Sequence, residues 1–284
     1  MKGIVVKQIS NLYTVSCDGK LYECGARGKF RNMKLSPLVG DYVEISENNK
    51  IIEKIYDRKN ELHRPVVANI DIALIVTSVK EPDISLSLLD KELTVVVCNN
   101  IKPVICFTKL DLLTKASKKD LRKLIKYYKS INIDVVTNKN LFKLKRILKN
   151  KVVVLTGQTG AGKSSLLNKL DKSLKLETSP ISKSLNRGVH TTRHTEIFNI
   201  KNIYFVDTPG FSSLDLKNIT KEKIRDSFPE FKDTGCKFKN CFHDKEKECK
   251  ITSDLSKSGI LPSRYINYIR FLKECYEGSS KLYK

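Results

Sequence analysis

The run Gly157-Gln158-Thr159-Gly160-Ala161-Gly162-Lys163-Ser164 has G-x-x-x-x-G-K-S spacing. That spacing suits a phosphate. Glycines let successive backbone N–H groups turn inward, and a following helix adds the positive end of its dipole. Lys163 can reach the β- and γ-phosphates of a nucleotide, and the Ser164 hydroxyl can ligate Mg²⁺. Such a loop needs a buried strand before it and a helix after it. Residues 151–156 are apolar and β-branched, and residues 165–170 have helical spacing, so both conditions are met. A chance glycine-rich turn would not bring strand, helix, Lys and Ser into one register. The candidate nucleotide ligands here are Gly157, Gln158, Thr159, Gly160, Ala161, Gly162, Lys163, Ser164 and Ser165.

Two further segments bear on which nucleotide is bound. Residues 204–210 are an apolar strand running into Asp207-Thr208-Pro209-Gly210, a D-x-x-G motif. Asp207 can bind Mg²⁺ through water, and the Gly210 amide can contact a γ-phosphate. Residues 104–111 are a strand ending in Thr108-Lys109-Leu110-Asp111. This resembles the guanine-reading N-K-x-D motif of GTPases. There the Asp carboxylate accepts two hydrogen bonds that adenine cannot supply, and the Lys stem lies along the base. Thr108 stands where Asn is usual, which removes a loop-fixing amide and predicts weaker base recognition. The next strand ends at Thr137-Asn138-Lys139, in the position of the GTPase S-A-K segment but with little likeness to it.

The base-reading segment precedes the phosphate loop, so the GTPase motifs run in the order 4-5-1-2-3, a circular permutation. As a result the γ-phosphate sensor leads directly into the C-terminal segment, and its motion can be passed there. Between the phosphate loop and D-x-x-G lies a polar stretch, residues 182–194, with the character of a mobile switch. Thr192, with Thr191 as the fallback, is the expected Mg²⁺ ligand from it. Phe211 follows Gly210, where many GTPases carry a water-orienting Gln, so intrinsic hydrolysis should be slow. His190 is the nearest replacement, and a His facing RNA or solvent is the competing reading.

Cys236, Cys241, His243 and Cys249 put three thiols and one imidazole within a short, charged segment that cannot make an apolar core. This donor set suits a closed, tetrahedral structural Zn²⁺ site. Cys275 lies on the final helix and is not expected to be a ligand. That helix, residues 262–277, has an apolar packing face and leaves Arg264, Arg270 and Lys273 free to face RNA.

The elements that must position these groups fall into three parts. Residues 3–9, 12–17, 20–24 and 41–45 read as short strands, and about five such strands suggest a small barrel of OB or SH3-like type. Its basic loop, residues 27–31 around Phe30, fits a nucleic-acid surface, and a plain solvated loop fits it as well. From about residue 66, buried strands at 70–77, 102–107, 133–137 and 151–156 alternate with helices at 88–97, 119–128 and 141–148, as in an α/β domain. From about residue 220 the pattern is helical and rich in Cys and His.

The chain has 284 residues, 40% hydrophobic and 30% charged, which excludes a disordered chain. The net charge of +22 predicts an acidic partner, with nucleic acid favoured. No apolar run approaches the ~18 residues of a membrane span, and the N-terminus has no signal-peptide pattern. Eight cysteines, four scattered in apolar segments and three clustered near the end, suit a reducing cytoplasm, with buried thiols and one metal site, better than a disulfide scaffold.

Together, barrel, permuted motifs and C-x4-C-x-H-x5-C resemble one family, the RsgA (YjeQ) GTPases of bacterial small-ribosomal-subunit biogenesis. Residues 27–31, the R-P-x-x-A-N-I-D run at 64–71 and Gly188-x-His190-Thr191-Thr192 extend the resemblance over nearly the whole chain. The resemblance implies a multidomain α/β protein: an OB-fold barrel at 1–62, a circularly permuted P-loop GTPase domain at 63–218 and a helical zinc-binding domain at 219–284. It also implies a cytoplasmic, ribosome-stimulated GTP hydrolase that binds the small subunit and its rRNA. Its cofactors would be GTP or GDP, Mg²⁺ and one structural Zn²⁺, and a monomer is expected. Two other readings stay open: a GTP-gated RNA-binding protein with negligible turnover, and a P-loop ATPase or kinase.

Overall fold

Alternation of buried and open residues builds the first sheet. In β2 (Leu12–Cys17), Tyr13, Val15 and Cys17 point inward. β1 (Lys2–Ile9), β3 (Lys20–Ala26), β4 (Tyr42–Ser46) and β5 (Ile51–Ile55) join it, and α1 (Lys29–Asn32) lies between β3 and β4. A computed structural model describes residues 1–32, 35–63, 66–176, 195–207, 216, 219–232 and 234–280. The five strands pair in the order β1-β2-β3-β5-β4 and close through β1–β4, with β3 and β5 parallel. Closure removes free edges, and the interior is filled by Val5, Val15, Val43, Ile45 and Ile52. Phe30 is 4% exposed and belongs to this core. The aromatic of the basic loop is therefore a plug for the barrel, and no stacking platform for a base is available there.

A hairpin of β6 (Glu61–His63) and β7 (Val66–Ala68) leads out of the barrel. Arg58 holds the junction with two hydrogen bonds to buried Asp41, each 2.8 Å, and a third to Glu61 at 2.7 Å.

The second part is built on β8 (Ile72–Ser78), in which every residue is buried. Its alternate side chains serve opposite faces. Ile72, Leu74 and Val76 pack with one helical layer and Ile75 with the other. The chain continues through α2 (Leu86–Cys98), β9 (Lys102–Thr108), α3 (Lys115–Ser130), β10 (Asp134–Thr137), α4 (Leu141–Leu148), β11 (Val152–Thr156), α5 (Lys163–Leu170), β12 (Glu196–Ile200) and β13 (Ile203–Asp207). The strand order is β10-β9-β8-β11-β13-β12, parallel except for β12. α2 and α3 cover one face, α4 and α5 the other. Ser85, Thr114 and Asn140 cap α2, α3 and α4 by accepting from the backbone N–H three residues on. β12 also meets β1 at Lys7–Glu196, so barrel and central sheet are continuous.

The strand carrying the phosphate loop, β11, lies in the middle of the sheet. Within this six-stranded part, strands that precede it in the chain stand on one side and those that follow stand on the other. This is the spatial consequence of the permuted motif order.

The last part comprises α6 (Lys221–Asp226), α7 (Lys250–Ser253) and α8 (Pro262–Ser280) around Phe228, Phe231, Tyr268 and Phe271. α8 docks on α2 through a buried polar cluster. Arg264 donates to Asp90 at 2.8 Å and to Glu230, while Asn267 and Tyr128 donate to Asp90 at 2.7 and 2.8 Å. Arg264 is 1% exposed, so it is not free to meet RNA as its sequence context suggested. Removal of one partner from such a cluster leaves a buried charge uncompensated, which is how it fixes one docking geometry.

Candidate functional site

The phosphate loop begins where β11 ends. Gly157 has φ +124°, and a Cβ there would stand 2.0 Å from the Val76 carbonyl oxygen of β8. Only glycine lets the chain turn this close to its neighbour. Gly162, at φ +88°, is the N-cap of α5 and has no side chain to compete with a ligand for the helix's free N–H groups. Lys163 folds back over the loop. Its Nζ donates to the carbonyl oxygens of Gly157 at 2.6 Å and Gln158 at 3.0 Å. Burial lowers the Lys163 pKa, and the nearby Glu92 carboxylate opposes that shift.

Glu92 is a residue that the sequence reading missed. It lies on α2, 4% exposed, and Thr156 donates its hydroxyl to it at 2.9 Å. Burial pushes the Glu92 carboxyl up to about 7, against the Thr156 hydroxyl, Lys163 and the Gly157 N–H. A signal existed in the sequence: Glu92 falls between Leu89, Leu93 and Val96, on the face of the helix that must be buried.

Beside the loop is a cleft lined by Thr108, Lys109, Asp111, Asn138, Gly162, Ser165, Leu166 and Lys169. It brings three predicted segments together: the end of β9, the segment after β10 and the start of α5. Thr108 is buried, and its hydroxyl donates to the Ala161 carbonyl at 2.6 Å. The loop fixation that the missing Asn amide would have supplied is thus made by a hydroxyl. Lys109 takes a left-handed backbone (φ +56°), donates to the Glu81 carbonyl, and starts the short turn Leu110–Leu112. Asp111, on that turn, is exposed at the cleft. Asn138 stands opposite, with its backbone N–H on the Phe107 carbonyl at 3.0 Å and its Oδ1 buried without a partner. An acidic side chain, a lysine stem and a free amide oxygen in a cleft next to a phosphate loop suit a purine base with both donors and acceptors.

Asp207 ends β13, which pairs with β11 as far as Val154–Val206, so it closes the strand beside the phosphate-loop strand. Thr208, Pro209, Gly210 and Phe211, with His190, Thr191 and Thr192, lie outside the described residues.

The fourth predicted group is assembled. One donor atom each from Cys236, Cys241, His243 and Cys249 lies within 4.8 Å of the others. His243 Nδ1 is 3.6 Å from Cys236 Sγ and 3.4 Å from Cys249 Sγ, and the two sulfurs are 4.0 Å apart. A tetrahedral Zn²⁺ with about 2.3 Å bonds to sulfur and about 2.0 Å to nitrogen separates its ligands by roughly 3.5–3.8 Å. The residues therefore fit such an ion. The Thr234 hydroxyl donates to Cys236 Sγ and the His243 N–H to Cys241 Sγ, contacts that orient thiolates. Tyr265 and Tyr268 of α8 donate to the carbonyls of His243 and Phe242 at 2.7 and 2.5 Å, tying this segment to the final helix. Cys275 is outside the cluster, its thiol on the Ile219 carbonyl.

Comparison with known proteins agrees with this geometry. The profile of the RsgA GTPase family matches residues 55–217, and that of the RsgA N-terminal domain matches residues 2–51. Small ribosomal subunit biogenesis GTPase RsgA 2 of Oceanobacillus iheyensis is 44% identical, with 96% of this chain and 97% of that protein covered. Small ribosomal subunit biogenesis GTPase RsgA of Clostridium botulinum is 43% identical over the same shares of the two chains. Among solved structures, YjeQ from Thermotoga maritima superposes with a TM-score of 0.83 at 34% identity, covering 97% of this chain and 98% of that one. YloQ, described as a circularly permuted GTPase, gives 0.82 at 32% identity, covering 97% and 95%. Phosphate loop, base cleft, permuted strand order and sequence likeness all agree: this chain belongs to the RsgA GTPase family.

Proposed function

We propose that the chain is a GTP-gated checkpoint of small-subunit maturation, whose hydrolysis of GTP is stimulated by the mature subunit. The observation that carries this reading is the shared cleft of phosphate loop and T-K-L-D segment in a chain that also carries the barrel and the Cys3His module. Family membership implies GTP, GDP and Mg²⁺ as cofactors, and the names of the relatives point to the small ribosomal subunit as the partner.

In this reading Asp111 accepts hydrogen bonds from the guanine N1–H and amino group, and Lys109 lies along the base. The N–H groups of residues 157–165 hold the phosphates, and Lys163 swings from the loop carbonyls to the β- and γ-phosphates. Ser164 and Thr192 would hold Mg²⁺, with Asp207 beside it, and Gly210 would sense the γ-phosphate. When bound, Mg²⁺ neutralises charge that develops on the phosphate oxygens. His190 orients the attacking water in place of the Gln that Phe211 displaces. Cys236, Cys241, His243 and Cys249 hold a structural Zn²⁺ that substitutes for an apolar core. The domains run over 1–62, 63–218 and 219–284. The barrel and the zinc module grip rRNA, and the protein works as a cytoplasmic monomer.

The test is steady-state hydrolysis of GTP and ATP in parallel, with and without purified small ribosomal subunits. Slow turnover of GTP alone that rises sharply with subunits is the expected result. Turnover of ATP, or indifference to subunits, would overturn the reading. A His190→Ala protein should lose most of the stimulated rate and keep its nucleotide affinity.

A further inference from the structure

The phosphate loop does not rest on its own strand alone. At its first residue it is squeezed between the Val76 carbonyl of β8 and α2. α2 contributes Glu92, which accepts from Thr156, the last residue of β11, and lies near enough to Lys163 for their charges to interact. In this arrangement Lys163 is turned away from any phosphate and onto Gly157 and Gln158. A negative Glu92 attracts Lys163 through space, and the phosphates of an arriving nucleotide compete with that attraction. We propose that Glu92 is a positioning residue of the phosphate loop, whose charge state sets how readily Lys163 leaves the loop carbonyls for the phosphates of a bound nucleotide. The inference rests on the nucleotide reading of this loop.

With Lys163 on the nucleotide, an ionised Glu92 would be a buried carboxylate between the Thr156 hydroxyl and the Gly157 N–H, close to phosphate charge. Both burial and like charge favour its neutral form. Nucleotide binding is therefore linked to proton uptake by Glu92, and affinity falls as pH rises through the range in which Glu92 ionises. That range is reachable because burial already places this carboxyl near 7.

The other charged groups packed on α2 are committed elsewhere. From α8, Arg264 is held by Asp90, and Glu274 is paired with Lys91 at 2.7 Å. Arg270 bonds to Ser87 and Glu274, while Glu230 is bound by Arg264 and Tyr127. From α6, Lys223 and Asp226 act on Cys98 at the C-terminal end of α2. Lys163 is the charged group whose field reaches Glu92.

The experiment measures Mg²⁺–GDP affinity of the full-length protein and its Glu92→Gln variant between pH 6.0 and 8.5. The Gln carbonyl can still accept from Thr156, so the loop tie is kept while the charge is removed. Taking the ratio of the two affinities at each pH cancels titration of GDP itself and of groups common to both proteins. Near-equal affinities at pH 6.0 are expected. By pH 8.5 the wild type should fall behind by about tenfold for each unit by which bound phosphates raise Glu92. Parallel profiles would overturn the inference while leaving the nucleotide site intact. Failure of the wild type to bind GDP at all would overturn the nucleotide reading beneath it. If the variant does not fold, calorimetry of the wild type at pH 8 in two buffers of different ionisation enthalpy decides the matter. Uptake of a measurable fraction of a proton supports the inference, and no uptake overturns it.

Discussion

A single hydroxyl shows how a departure from a motif can be made good locally. Thr108 is buried at the end of β9, and its Oγ1 donates at 2.6 Å to the Ala161 carbonyl inside the phosphate loop. Removal of the hydroxyl leaves that carbonyl without this donor in a region closed to water, at a cost of about 1–3 kcal/mol. Because the bond ties base loop to phosphate loop, the cost should appear in nucleotide affinity. Thr108→Ala is expected to weaken GDP binding by about five- to 150-fold, whereas Thr108→Ser should remain within about threefold. Fluorescence titration with a labelled GDP checks both. An Ala variant as tight as the wild type would mean that the two loops hold their places without this bond. None of this was legible in the sequence, where Thr108 and Ala161 stand far apart and no spacing rule pairs them. The phosphate loop itself was legible, since its chemistry is local: strand, glycines, Lys, Ser and helix follow one another without a break.

At the scale of elements, legibility tracks how local the organising force is. β2 and α4 begin and end where alternation and helical spacing place them, at Leu12–Cys17 and Leu141–Leu148. β12 was missed because its strand character comes from pairing with β13, not from a strongly apolar run of its own. The hairpin β6–β7 was missed because Arg64 and Pro65 interrupt its apolar residues. Phe30 and Arg264 were misjudged in the same way. Basic neighbours suggested a surface, yet the barrel interior and the Asp90–Glu230 cluster claim them. The Cys3His segment is the opposite case. It carries charged residues throughout residues 237–248, so its own side chains supply little apolar burial, while its donor spacing could be read directly. Structure there should depend on metal. A strong chelator is expected to release one Zn²⁺ per chain and to unfold residues 234–250 along with the Tyr265 and Tyr268 bonds to it. The sheet and the phosphate loop should remain folded. Metal analysis together with hydrogen exchange of the two regions checks this, and unchanged protection of residues 234–250 after metal loss would count against a structural ion.

For the whole molecule, the net charge of +22 is far more than a nucleotide site needs. The excess of 53 Lys and Arg over 31 Asp and Glu leaves many basic side chains without an acidic match. On α3 alone, Lys115, Lys118, Lys119, Arg122, Lys123, Lys126 and Lys129 are all exposed, and among the described ion pairs only Lys123 has an acidic partner there, Asp120 at 3.5 Å. A surface of this kind attracts a polyanion through release of its counterions, and the affinity so gained is lost steeply as salt is added. The nucleotide site works differently. In the proposed site the loop N–H groups and Asp111 would act at hydrogen-bond range, within less than a Debye length, where salt screens weakly. The two binding events should therefore separate on one experimental axis. Between 50 and 200 mM salt, affinity for purified small subunits is expected to fall by about 10³-fold or more if six to ten phosphates are contacted. GDP affinity over the same range should change by less than about tenfold. Equal slopes would mean that the surface charge is not the grip on the subunit. A flat subunit slope would turn attention to contacts that displace no counterions, such as a protein face of the particle.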